Sequence, residues 1–220
     1  MTGMKRFDAV IFDMDGLLLD SERIALAAFV EACEHFNLGD QQDLFIRCVG
    51  TNEVLGEAVL REGLQGKADH LEFGRLWDAR YLDAIASRPI PLKPGVLELL
   101  NELREAGIPR AVATSTSSAR AREKLQRAGV LDKFDAIVGG DQVRASKPHP
   151  EIYIAAAAAL GVKPEKCLAL EDSENGVRAA LGAGMTVIQI PDLVAPSAAL
   201  CALGHVILGS VDDVRRYDFG

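Results

Sequence analysis

The chain has no CxxC pair, no excess of basic residues and no apolar run of membrane length, and each absence narrows its role. Its four cysteines, Cys33, Cys48, Cys167 and Cys201, are scattered. That spacing argues against a zinc site or a disulfide framework and for buried, reduced thiols in a cytoplasmic protein. The longest mostly apolar stretch, Ile152 to Val162, falls far short of the ~18 residues of a membrane span. Near the start, Lys5 and Arg6 precede only Ala9-Val10-Ile11-Phe12 before Asp13, too little for the apolar region of a signal peptide. With 24 Lys and Arg against 32 Asp and Glu, the net charge is −8 and the pI is near 5.1. No nucleic-acid or anionic-membrane partner is expected from such a balance. Low-complexity segments and internal repeats are absent too, and 49% of the 220 residues are hydrophobic, enough for one large domain or a core with an insertion.

What is present alternates. Short β-rich runs occur at Ala9–Phe12, Ile108–Ala113, Ala136–Val138, Cys167–Leu170, Thr186–Ile190 and Val206–Leu208. Helical patterns separate several of them: a Val96, Leu99, Leu100, Leu103 stripe closed by Gly107, a helix capped at Ser117 or Ser118 and running to Gly129, one from Pro150 to Gly161, and one from Asn175 to Ala183. This rhythm predicts an α/β fold, a Rossmann-like parallel sheet with helices on both faces. Residues 18–88 break it. Ile24, Ala28, Ala32 and Phe36 fall along one side of a helix, and helical patterning continues around Val54–Arg61 and Leu71–Ala86. The proline-rich stretch Ser87 to Gly95 reads as a return linker. The expected organisation is a catalytic core of residues 1–17 and 90–220 with an inserted α-helical cap, residues 18–89.

In an open parallel sheet, ligands gather at the carboxyl ends of the strands. Asp13-Met14-Asp15-Gly16 follows the first predicted strand and Thr114-Ser115-Thr116-Ser117 the second. Ser146-Lys147-Pro148 lies in the loop past the third, and Glu171-Asp172-Ser173 follows the fourth. Each piece alone has an ordinary reading as a turn or a helix cap; their shared place on one rim carries the weight. Clustered carboxylates repel, and a hard divalent cation such as Mg²⁺ relieves them, with Asp13, Asp172 and a main-chain carbonyl near Asp15 as the natural ligands. Thr114, Ser115 and the unpaired N–H groups of a following helix make an anion cradle. Lys147 adds a positive charge. Together these describe a phosphate site.

The stretches Val10–Gly16, Val112–Ser115, Ser146–Pro148 and Glu171–Gly176 resemble the haloacid dehalogenase-like superfamily, in its phosphatase and phosphomutase branch with a helical cap, which includes β-phosphoglucomutase and sugar-phosphate phosphatases. The resemblance implies Asp13 as the nucleophile that forms an aspartyl-phosphate and Asp15 as the general acid/base. It implies Thr114 and the Ser115 N–H as phosphoryl ligands and Lys147 as the balancing charge. Asp13, Asp172 and the Asp15 carbonyl would bind Mg²⁺, with Glu171 acting through water. The expected activity is Mg²⁺-dependent hydrolysis of a small phosphomonoester, a sugar phosphate, by a monomer. Asp15 separates the chain from the founding dehalogenases, which lack that second acid.

A phosphomutase of the β-phosphoglucomutase type is the alternative. Two departures weaken it: Asn52 stands about where the mutase cap has an arginine, and Ile24 and Ala25 where it has a histidine. Arg47, Arg61 or Arg80 could compensate. A third alternative is a non-catalytic binding protein. Glu22 and Asn52 are the candidate substrate contacts in the cap, Trp77 is expected in the cap core, and Arg120, Arg122, Lys124 and Arg127 on an exposed helix side.

Overall fold

The computed structural model describes residues 7–51, 53–87 and 89–216. Asn52 lies outside them. Six strands form one parallel sheet: β1 (Ala9–Phe12), β2 (Arg110–Ala113), β3 (Ala136–Val138), β4 (Cys167–Glu171), β5 (Thr186–Gln189) and β6 (Val206–Ile207). Their spatial order is β3-β2-β1-β4-β5-β6, so winding reverses at β1, between β2 and β4. That reversal opens a crevice at the carboxyl end of β1, where Asp13 stands.

Side chains alternate across the strands. Val10, Phe12, Val112, Leu168, Leu170 and Ile188 join one apolar cluster with Val96, Leu99, Leu100 and Leu103 of α5 (Val96–Glu105) and with Ala121 and Leu125 of α6 (Ser118–Arg127). On the other face Ala9, Ile11, Ala111, Ala113 and Ala169 meet Ile152, Tyr153, Ala156 and Ala157 of α7 (Glu151–Ala159) and Val177, Ala179 and Ala180 of α8 (Glu174–Gly182). Alanine dominates that face on both sides, which lets α7 lie close to the sheet. Short helices α9 (Ala198–Cys201) and α10 (Val211–Arg216) complete the core.

Between β1 and α5 lie four helices: α1 (Ser21–His35), α2 (Gln42–Cys48), α3 (Glu53–Gly63) and α4 (His70–Ser87). They enclose a cluster of their own, centred on Phe29, whose ring meets those of Phe45, Phe73 and Trp77 at 5.4, 5.2 and 5.1 Å. Two linkers join this bundle to the sheet and pair with each other: Asp20 N–H donates to Pro91 O and Lys93 N–H to Leu18 O, both at 2.9 Å. Leu18 and Leu19 are buried in the sheet's own apolar cluster. Among the described residues no helix is long and apolar enough to cross a membrane. The cysteines are unpaired, and three are buried as expected; Cys201, on the short α9, is exposed instead.

Candidate active site

Asp13 leaves the end of β1 with its N–H bound to Leu170 O at 2.9 Å, so β4 fixes its backbone. Its carboxylate receives Lys147 Nζ at 2.6 Å. The same ammonium donates to Ala113 O at 3.0 Å and to Glu171 Oε1 at 2.6 Å, so three strand ends converge on one lysine. Glu171 is fully buried and both of its oxygens are engaged. Oε1 also takes the Tyr153 hydroxyl at 2.6 Å, while Oε2 takes the Asp172 and Ser173 N–H groups and the Ser173 hydroxyl at 3.1–3.2 Å.

Oxygens of Asp13, Glu171 and Asp172 lie within 4.8 Å of one another in a buried cluster. One ammonium cannot balance three buried carboxylates. Burial therefore holds Asp13 above the usual carboxylate range despite Lys147, and burial with the charges of Asp13 and Glu171 holds Asp172 well above it. An all-oxygen donor set with excess negative charge fits a hard divalent cation. Gly16, at φ +81°, makes room for this crowding: a Cβ there would sit 2.4 Å from Asp172 Oδ2. Gly176 does the same for Glu171, whose carboxylate a Cβ would meet at 1.8 Å.

The Asp15 carboxylate points away from that cluster. Ser21 Oγ and Lys124 Nζ donate to its Oδ1 at 2.6 and 2.9 Å, and Thr116 Oγ1 to its Oδ2 at 2.9 Å. Burial alone would raise its pKa, but Lys124 and the two hydroxyls outweigh burial and hold it lower. Thr114 is buried at the end of β2, its N–H on Val138 O at 3.1 Å and its Oγ1 accepting the Thr116 N–H at 3.1 Å. Thr114 and Ser115 open onto a cavity of about 700 Å³ between the strand ends and helices α1, α3 and α4. Glu22 lines it as well; burial, then the neighbouring Asp15 charge, push its carboxyl up to about 7.

The structure thus brings together Asp13, Asp15, Glu22, Thr114, Ser115, Lys147, Glu171 and Asp172. Of the cap arginines offered as phosphate ligands, Arg47 pairs with Glu62 and Arg80 with Glu31 on exposed surface, and neither they nor Arg61 line the cavity; Arg75 does. Trp77 packs in the cap core, its Nε1–H on Ala25 O at 2.9 Å, and also borders the cavity. The basic run of α6 needs correction. Arg122 is exposed, but Lys124 turns into the site, because it follows Ser117 and Ala121 on the inward side of the helix beside buried Leu125. That break in an inward stripe was the available signal for Lys124. Tyr153 gave none, since it sits within an ordinary core stripe.

The model of the haloacid dehalogenase-like hydrolases matches residues 7–184. The chain belongs to this family. Among its relatives is a phosphorylated carbohydrates phosphatase of Thermotoga maritima, 39% identical over 81% of this chain and 82% of that one. Hexitol phosphatase B of Escherichia coli K12 is 30% identical over 99% of both chains. The crystal structure of CbbY from Rhodobacter sphaeroides in complex with phosphate superposes with a TM-score of 0.73 at 31% identity, covering 94% of this chain and 96% of that one. The family's β-phosphoglucomutase-like and sugar-phosphate phosphatase branch is therefore the one to which the chain is related.

Proposed function

We propose that this hydrolase releases phosphate from a small phosphomonoester, a sugar or sugar-alcohol phosphate, through an aspartyl-phosphate on Asp13, with residues 18–89 serving as its cap. The observation that carries this reading is the Lys147 ammonium shared between Asp13 and Glu171 beside an unbalanced Asp172. An anionic ester can approach an acidic nucleophile only where positive charge is fixed around it. Asp13 attacks phosphorus while Thr114 and the Ser115 N–H hold the phosphoryl oxygens. Asp15 protonates the departing alcohol oxygen, then takes a proton from the water that cleaves the acyl phosphate. Lys124 and the two hydroxyls favour its ionised form, which the second step requires, and the proton it gives in the first step is the one taken from water in the preceding turnover.

Asp13, Asp172 and the main-chain carbonyl of Asp15 would hold Mg²⁺, with Glu171 behind them, and the ion would supply charge to offset the phosphoryl group. Glu171 keeps Lys147 in place, since its oxygens are saturated by protein donors. The relatives' names support the phosphatase activity and the carbohydrate class. So does the cavity. Of its lining cations, Lys147, Lys124 and Arg120 are paired with protein acids, and Arg75 stands exposed. Most of the positive charge around the substrate is therefore already matched by protein acids, which suits a neutral polyol better than a second phosphate. Incubating the purified chain with Mg²⁺ and a panel of phosphorylated carbohydrates tests the reading. Phosphate release is expected; a bisphosphate-dependent isomerisation faster than release would reverse it toward a phosphomutase.

A further inference from the structure

Three basic side chains on one face of α6 reach three positions on one face of α4. Arg120 Nη1 and Nη2 donate to the two carboxylate oxygens of Asp78 at 3.3 and 3.0 Å. Lys124 Nζ lies 5.0 Å from the centroid of the Tyr81 ring. Arg127 Nη1 donates to Ile85 O at 3.3 Å. The positions run i, i+4, i+7 on α6 and i, i+3, i+7 on α4, the spacing of helical neighbours.

The middle rung also reaches the acid–base carboxylate. Lys124 donates to Asp15 Oδ1, the same oxygen that Ser21 of α1 reaches. Its side chain is 13% exposed, against 55% for Arg120 and 36% for Arg127. The ammonium therefore lies partly dehydrated between a ring of the helical bundle and a carboxylate of the sheet domain, where both attractions are stronger than in water.

We propose that Lys124 is a positioning residue that ties α4 to Asp15, so that the acid–base carboxylate is in register only while the cap sits over the core. This rests on the phosphatase reading of Asp15. Moving α4 away takes the Tyr81 ring from the ammonium and lets water reach it. The Ser21 hydroxyl leaves with the bundle, and Asp15 then keeps Thr116 Oγ1 and a Lys124 ammonium that no ring holds in place.

The test uses full-length Lys124→Met, Tyr81→Leu, their double variant, Arg120→Met, and Arg122→Gln as a control on the exposed side of α6. Phosphate release from the best substrate of the wild-type panel gives kcat and KM; acrylamide quenching of Trp77, the chain's one tryptophan, reports the cap without any turnover. Lys124→Met should lower kcat about 10²-fold, the cost of slight misplacement of a reacting group, and raise Trp77 quenching. Arg120→Met, which cuts the pair with Asp78 of the cap at the cavity lining, should act mainly on KM. The double variant should lose no more than the larger single loss, since both changes cut one tie. An unchanged kcat in Lys124→Met, unchanged quenching, additive losses, or equal damage from Arg122→Gln would each overturn the proposal. If the wild type turns over no phosphomonoester, the phosphatase reading fails instead, and quenching still decides whether Lys124 holds α4.

Discussion

Lys147 and Lys124 divide the carboxylates between them. Lys147 holds Asp13 and Glu171 at 2.6 Å each, and Lys124 holds Asp15 at 2.9 Å. On the proposed reading, this keeps one acid as a nucleophile and the other as a proton carrier, a separation of roles by environment. Asp13→Asn should abolish turnover, while Asp15→Asn should lower kcat by about 10²–10⁴-fold, the usual worth of general acid–base help; steady-state phosphate release checks both. Tyr153 is a structural support of this arrangement. Its hydroxyl reaches Glu171 Oε1 in a buried setting, so Tyr153→Phe should cost about 1–3 kcal/mol of stability, read by urea unfolding. Asp13, Thr114 and Asp172 were legible in the sequence because each sits at a strand end in a recognisable motif, and Lys147 because its loop motif follows the third strand. Lys124 and Tyr153 were not, because both lie in helices whose patterns say only which side faces inward.

The linkers between the bundle and the sheet are fastened by charge as well as by backbone pairing. Asp192, in the loop after β5, has a side chain only 2% exposed and takes Lys93 Nζ at 2.6 Å and Arg23 Nη1 at 2.9 Å. Lys93 belongs to the returning linker and Arg23 to the first turn of α1, so one carboxylate gathers both crossings. Asp192→Asn should cost about 2 kcal/mol, the scale of hydrogen bonds to a charged group, and calorimetric melting would show it. At this scale the parallel sheet and most helices followed from apolar periodicity. The strand order did not, since it depends on pairings between distant segments. Nor did α2 and α10, of seven and six residues, too short to show a convincing period.

Across the whole molecule, uncompensated acid couples stability to pH. Burial raises Asp13 and Asp172, and burial with the Asp15 charge raises Glu22 to about 7. The folded chain therefore binds more protons than the unfolded one above the ordinary carboxylate range, and its stability falls as pH rises through that window. Asp15, held low, acts oppositely: its contribution is present above the ordinary aspartate pKa and lost in acid. Without divalent ions the melting temperature should decline from about pH 5 to pH 8. Mg²⁺ at 100 times its dissociation constant should restore about 2.7 kcal/mol at the upper end; a melting profile indifferent to pH and to Mg²⁺ would contradict this. The most direct measurement is phosphate release from phosphorylated carbohydrates by the chelator-treated enzyme as Mg²⁺ is added back. Turnover of at least one such ester should appear with the ion and vanish without it. Equal turnover in chelator, or none at saturating Mg²⁺, would contradict the account.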